Sequence, residues 1–192
     1  RATEALRDPR PLLAAERATG DARATSELAF YAVRHGDLAL LDTLGTAAVA
    51  ARDEFGRSAL AIAAERNAAS VVQWLLAHGA NAQTPDSFGV TPVMLAATLP
   101  DPAVLTQLLA GATSSGVDQE QRTALFYAAR LDRAAAIRLL AGAGARVDTV
   151  NSHGYNALDV AVVAGADAAA AELRVLGARQ SVSRAPRSVA GK

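Results

Sequence analysis

The stretch "DEFGRSALAIAAERN", residues 53–67, decides the fold, because the chain writes it again as "DSFGVTPVMLAA", residues 86–97. In both, a glycine stands three residues after the aspartate, and a pair of alanines closes the motif at the same spacing. Working outward from these two copies gives a period: Leu60, Val93, Leu125 and Leu158 step by 33, 32 and 33 residues. Ala63-Ala64, Ala96-Ala97, Ala128-Ala129 and Ala161-Val162 keep those steps. "AFYAVRHGD" (residues 29–37) and "LFYAARLDR" (residues 125–133) belong to the same series, since Phe30 and Phe126 are 96 residues apart, or three units of 32. With only four Phe and three Tyr in the chain, coincidence is a poor explanation. Periods of this size mark a solenoid of stacked units.

Each unit reads as two short helices. Eleven residues beyond Leu60, Val93 and Leu125 a second apolar cluster begins: Val71-Val72 with Leu75-Leu76, Val104-Leu105 with Leu108-Leu109, and Ala136-Ile137 with Leu139-Leu140. Such spacing places the four residues on one helical face. Asp37, Asp101, Asp132 and Asp167 stand before second helices and are expected as N-caps, where a carboxylate accepts bonds from unpaired N–H groups. Pro102 suits the first helical position, where no N–H is needed. Gly79, Gly144 and Gly177 are expected to end second helices in a left-handed conformation.

Composition narrows the function. Hydrophobic content is 51%, much of it alanine, and aromatic content only 4%, so the interior must pack through Ala, Leu and Val at close range. Nineteen basic residues balance nineteen acidic ones. That argues against a nucleic-acid binder and against attachment to anionic membranes, both of which need a basic excess. There is no cysteine, hence no disulfide or thiolate metal site. No run approaches the roughly 18 apolar residues that a membrane span needs. The chain opens at Arg1 rather than methionine, so a segment is expected upstream, a targeting sequence being one candidate. Lys192 is the only lysine, which with the alanine excess points to a GC-rich bacterial genome. The compartment stays unassigned, with the bacterial cytoplasm favoured over periplasm or secretion.

"DEFGRSALAIAAERN" and "DSFGVTPVMLAA" resemble the ankyrin repeat, whose motif is Asp-x-x-Gly-x-Thr-Pro-Leu-His-x-Ala-Ala. "WLLAHGANA" (residues 74–82) and "LLAGAGARVD" (residues 139–148) resemble the close of its second helix. The likeness covers residues 26–179, about five units. It implies an all-α, ankyrin-type solenoid of helix-turn-helix repeats with short hairpin-like turns, the first and last units serving as caps. Residues 1–25 fit the period poorly, and "PLLAAERA" is expected to form a capping helix from Pro11. Residues 180–192 carry too little apolar surface to fold and are expected to be disordered. Two departures stand out. The family's histidine is replaced by Ala61, Met94, Phe126 and Asp159, so its hydrogen-bond network is not expected. The turn glycine of Gly56, Gly89 and Gly154 becomes Gln121, and the unit before it is one residue short around "GATSSGVDQEQ". An irregular turn between units three and four is therefore expected.

Catalytic signatures are missing: there is no phosphate loop, no Gly-x-Ser-x-Gly elbow and no His-Glu-x-x-His. His35, His78 and His153 occupy different positions within their units, so no metal site and no cofactor are expected. Asp118 and Glu120 flank a turn and read as solvated charges. No convergent polar set supports a ligand pocket or enzyme activity. The resemblance implies instead a non-enzymatic interaction module, expected as a monomer, that binds a partner protein through its concave face and turn tips. An alternative is an inhibitory or protective, immunity-type protein that covers a partner enzyme's active site.

Matching positions make Glu54, Phe55 and Arg57 tip candidates in unit two, with Ser87, Phe88 and Val90 in unit three. Arg122 follows in unit four, beside Gln119 and Glu120, and His153 and Tyr155 in unit five, beside Ser152. On the exposed side of the first helices the matching positions are Arg34 and His35, Glu65 and Arg66, Thr98 and Leu99, and Arg130 and Leu131, with Arg66, Leu99 and Arg130 taken as candidates. Phe55, Phe88 and Tyr155 suit anchors, because binding energy concentrates in desolvated aromatic and Arg residues. The alternative is that the rings pack sideways and only stiffen the edge. Arg34, Arg66 and Arg130 form either a basic stripe or part of a solvated mixed face. Trp74 is expected to pack between units, and Phe30, Tyr31, Phe126 and Tyr127 to lie in the core.

Overall fold

The computed structural model describes residues 22–111 and 114–181. Good helix formers at helical spacing fold the chain into paired short helices. Unit one supplies α1 (Ala22–His35), α2 (Leu38–Leu44) and a short extra helix α3 (Thr46–Ala50). Four pairs follow: α4 (Ala59–Glu65) with α5 (Ala69–Ala77), α6 (Pro92–Ala96) with α7 (Ala103–Leu109), α8 (Ala124–Arg130) with α9 (Ala134–Gly142), and α10 (Ala157–Ala164) with α11 (Asp167–Val175). Among the described residues there are no strands, only single antiparallel bridges, Arg52 with Ser58 and Val150 with Asn156, which give two turns a hairpin-like base. The all-α solenoid implied by the repeat is what the chain forms. No helix among the described residues is long and apolar enough to cross a membrane.

The layering follows from side-chain size. First helices stack in order, α1 on α4, α4 on α6, α6 on α8 and α8 on α10, while α5, α7, α9 and α11 stack behind them. Ala32, Ala63, Ala96, Ala128 and Ala161 are fully buried in one column of the first layer, where a single methyl group lets neighbouring helices approach closely. Leu60, Val93, Leu125 and Leu158 fill the space beside it. In the second layer Val71, Val72, Leu75, Val104, Leu105, Leu108, Ile137 and Leu140 are fully buried, and Leu76 is half-buried against them.

Helix ends depart from expectation in instructive ways. The Asp37 side chain does cap α2, accepting the Leu40 N–H at 3.0 Å. Pro102 stands in the cap position of α7 rather than the first helical one, and Asp101 accepts the Ala103 N–H across it at 3.0 Å. Asp167 lies inside α11, where a negative charge in the first turn still favours the helix. Asp132 does not cap its own helix. Its backbone is left-handed (φ 59), and its carboxylate accepts the Ala169 N–H of α11, one unit further on, at 2.7 Å. Gly79, Gly144 and Gly177 are left-handed as expected, and the following N–H groups of Ala80, Ala145 and Ala178 each reach back to a Leu carbonyl at 2.9 Å.

The turn at residues 118–122 is regular, against expectation. Gln121 takes the left-handed conformation (φ 60) and donates its N–H to the Asp118 carbonyl at 2.9 Å, as Gly56 does to Asp53. A non-glycine residue there costs about 1 kcal/mol, which the bonds converging on Asp118 offset. Ala112 and Thr113, within the shortened stretch, lie outside the described residues, as do the expected helix from Pro11 and residues 182–192.

Truncating the second-layer core tests this packing. Leu75→Ala should lower stability by about 2–5 kcal/mol in urea unfolding. A loss below about 0.5 kcal/mol would mean that this face is not core.

Candidate binding surface

Every turn is organised by one side-chain oxygen. Asp53 Oδ1 accepts the N–H groups of Phe55 and Arg57 at 3.0 and 2.8 Å. Asp86 does the same for Phe88 and Val90 at 2.8 and 2.9 Å, and Asp118 for Glu120 and Arg122 at 2.9 Å each. Asn151 Oδ1 serves His153 and Tyr155 at 3.0 Å each, so an amide oxygen suffices. The turns are then joined to one another through main-chain atoms. Ser87 N–H donates to the Phe55 carbonyl (2.9 Å), Gln119 N–H to Phe88 (3.0 Å) and Ser152 N–H to Glu120 (2.9 Å). This ladder explains two glycines. A Cβ at Gly89 would lie 2.8 Å from Asp118 Cα, and one at Gly56 2.9 Å from Ser87 Oγ, whereas one at Gly154 meets nothing.

Charge is paired along the row in alternate units. Arg57 bonds Asp53 (2.8 Å) and Glu65 (3.3 Å), and its guanidinium lies 5.7 Å from the Phe55 ring centroid. Arg122 bonds Asp118 (2.7 Å) and Glu120 (3.1 Å), and the Tyr127 hydroxyl donates to Asp118 at 2.7 Å. Burial alone would raise the Asp118 pKa. The Arg122 N–H, the Tyr127 hydroxyl and the Arg122 guanidinium together outweigh it and hold the carboxyl below its ordinary value. Asp53 is held low in the same way by Arg57. Burial and the bond to Asp118 push the Tyr127 phenol up to about 12.

The sequence candidates divide by exposure. Glu54, Phe55, Ser87, Phe88, His153 and Tyr155 are exposed on the turns, Arg66 at the cap that ends α4, and Arg130 on α8. Phe55, Phe88 and Tyr155 stand 46, 54 and 43% open to solvent, large values for rings. Arg57 and Arg122 are half-buried in the networks just described. Val90 and Leu99 are half-buried against the core rather than standing free. For Leu99 the reason is that α6 stops at Ala96, and the Leu99 N–H bonds back to the Ala96 carbonyl at 3.1 Å. Gln119 Nε2 donates to the Ser87 carbonyl at 2.8 Å and so acts within the row.

The three arginines do not form one stripe. Arg34 and Arg66 share a cleft of about 530 Å³ with Arg57, Ile62 and Glu65. Arg130 lies in another place, on a recess of about 420 Å³ lined with Tyr155, Asp159, Val160, Val163 and Ala164. An adjoining space of about 230 Å³ shares Arg130 and Val160 and reaches Glu120, Arg122, Phe126, Tyr127 and Asn151. The apolar wall of unit five was not singled out from the sequence. Its signal was present, since Val163 falls in register with Arg34, Glu65, Thr98 and Arg130 when the alanine pairs are aligned.

Residues expected in the interior behave variously. Phe30 and Phe126 are buried, while Tyr31 and Tyr127 are half-buried. Trp74 does join units, its indole N–H donating to Asp42 at 2.6 Å while the His78 ring stacks on it at 3.8 Å. Asp159, at the position of the missing histidine, anchors a different network. It accepts the Asn156 N–H at 2.9 Å and the Ser181 hydroxyl, while Asn156 Nδ2 donates to the Arg179 carbonyl at 2.6 Å.

A family model described as ankyrin repeats (3 copies) matches residues 29–114 and 94–182. No curated protein matches the chain.

Two measurements test this geometry. Gly89→Ala should destabilise more than Gly154→Ala in urea unfolding. Both carry the left-handed strain, but only the first adds overpacking, worth about 1–3 kcal/mol; equal losses would show that the turns do not touch. The folded Tyr127 pKa lies above its ordinary 10.0, so its contribution to stability is whole below pH 10 and is lost as pH rises through about 12. A near-ultraviolet absorbance titration should therefore show one late-ionising tyrosine, and Tyr127→Phe should remove that step.

Proposed function

The chain belongs to the ankyrin repeat family, and from that premise we propose that it binds another protein along the exposed side of its first helices and its turn tips, without catalysis of its own. Ankyrin repeats are generally protein–protein interaction modules, and the finer reading concerns where this one makes contact. The observation that carries it is the set of rings at Phe55, Phe88 and Tyr155. Each is raised on a turn whose backbone is already satisfied and fastened to its neighbour. An apolar ring held open to water contributes little to folding. On a partner it supplies area already ordered, which lowers the entropic cost of association. Glu54, Ser87 and His153 flank the rings, as a polar rim flanks buried anchors.

Replacing Phe55, Phe88 and Tyr155 together with Ala should leave far-UV circular dichroism and melting nearly unchanged. It should also abolish capture of whatever partner the wild-type chain retains in a pull-down identified by mass spectrometry. Melting well below wild type would show that the rings are structural.

A further inference from the structure

We propose that the recess between units four and five receives a carboxylate side chain of the partner together with the apolar residue beside it, the carboxylate on Arg130 and the apolar group against Val160 and Val163. The inference rests on the binding-module reading above and narrows it to one place and one chemistry.

The position after the aligned alanine pairs reads Arg34, Glu65, Thr98, Arg130 and Val163, Thr98 standing just beyond the end of α6. Polar residues are expected there, and Val163 is 85% exposed at this position. A β-branched residue is a weak helix former, and one so exposed adds almost nothing to the core. Folding therefore does not account for it. Beside it, Val160 and Tyr155 continue the apolar surface along the same recess.

Only two charged residues line that recess, Asp159 and Arg130. Asp159 is engaged by Asn156 and Ser181. Arg130 forms no ion pair or hydrogen bond among the described residues, although the neighbouring arginines do. Arg122 is held by Asp118 and Glu120, and Arg133 donates to the Thr98 carbonyl at 2.8 Å. One uncommitted guanidinium thus stands at the edge of an apolar wall. Charge complementarity calls for a carboxylate, and charge-assisted bonds of this kind are the strong ones when water is excluded around them. The Arg34–Arg66 cleft lacks the apolar wall, Ile62 being the one apolar residue that lines it.

The test pans a phage-displayed library of random linear peptides against the intact chain, then measures the recovered peptides, fluorescently labelled, by anisotropy. Recovered sequences should carry Asp or Glu next to Leu, Ile, Val or Phe. Changing that acid to its amide should weaken binding about 10-fold or more, and Arg130→Ala should do the same, as expected for a charged hydrogen bond. Val163→Ser should also weaken binding, while Arg174→Ala, an exposed arginine on α11 in the second layer, leaves it within about 2-fold. Circular dichroism should match wild type throughout, since these side chains are exposed. Peptides weakened by F55A/F88A but not by Arg130→Ala overturn this site and leave the binding-module reading intact. An empty library overturns it as well. So does a dimer in sedimentation that Arg130→Ala dissolves, because a second copy would then fill the recess. Failure of the partner capture described above strikes the broader reading whatever the library yields.

Discussion

Where the chain reverses before the first helices of units two to five, two N–H groups point into the loop. A side-chain oxygen at Asp53, Asp86, Asp118 or Asn151 accepts both. Once that is done the remaining main-chain groups face sideways, and each turn bonds to the next. The close approach of glycine to backbone, the height of the rings and the position of the first helices all follow from this one acceptor. Each such bond contributes about 0.5–1.5 kcal/mol net, and more where the acceptor is a carboxylate.

Much of this could be read from residues alone. Leu60, Val93, Leu125 and Leu158 announced the period, and they are core residues because the period is set by what must be buried. The Asp-x-x-x-Arg spacing in "DEFGR" and "DQEQR" underlies the Asp53–Arg57 and Asp118–Arg122 pairs, yet the solvated charge expected at Asp118 is in fact buried and paired. The turn at Gln121 departs from expectation because neither a missing glycine nor a shortened unit reveals the donors that converge on Asp118 and hold the turn in place. Asp132 misled for a different reason. A cap is ordinarily sought within its own helix, and no local rule shows that a left-handed residue will serve a helix one unit away.

The candidate surface was legible only in part. Tip positions could be transferred because turns are local, so Phe55, Phe88 and Tyr155 fell where expected on the chain. Exposure is not local. Val90 and Leu99 settle on the core because of where neighbouring helices end, and Arg130 separates from Arg34 and Arg66 because they line different clefts. Asp159 shows both sides of the matter. Its identity shows that the histidine network is gone, but only the fold reveals that it holds Ser181 instead.

The seams between units two and five share an attribute with consequences for how such a protein changes over generations. At the turns their rungs are drawn from amide and carbonyl groups, which every residue type except proline supplies in full, while Gln119, Asp132 and Arg133 add side-chain bonds between units. Side chains at 54, 55, 87, 88, 152 and 153 can therefore be exchanged almost freely without loosening the array, and recognition can drift while architecture stays fixed. The first seam differs in having no main-chain rung among the described residues, so that it is held by side chains, Trp74 to Asp42 and Arg66 to the Arg34 carbonyl. Variation there touches cohesion itself, so novelty in what the protein recognises is best sought away from its N-terminal end.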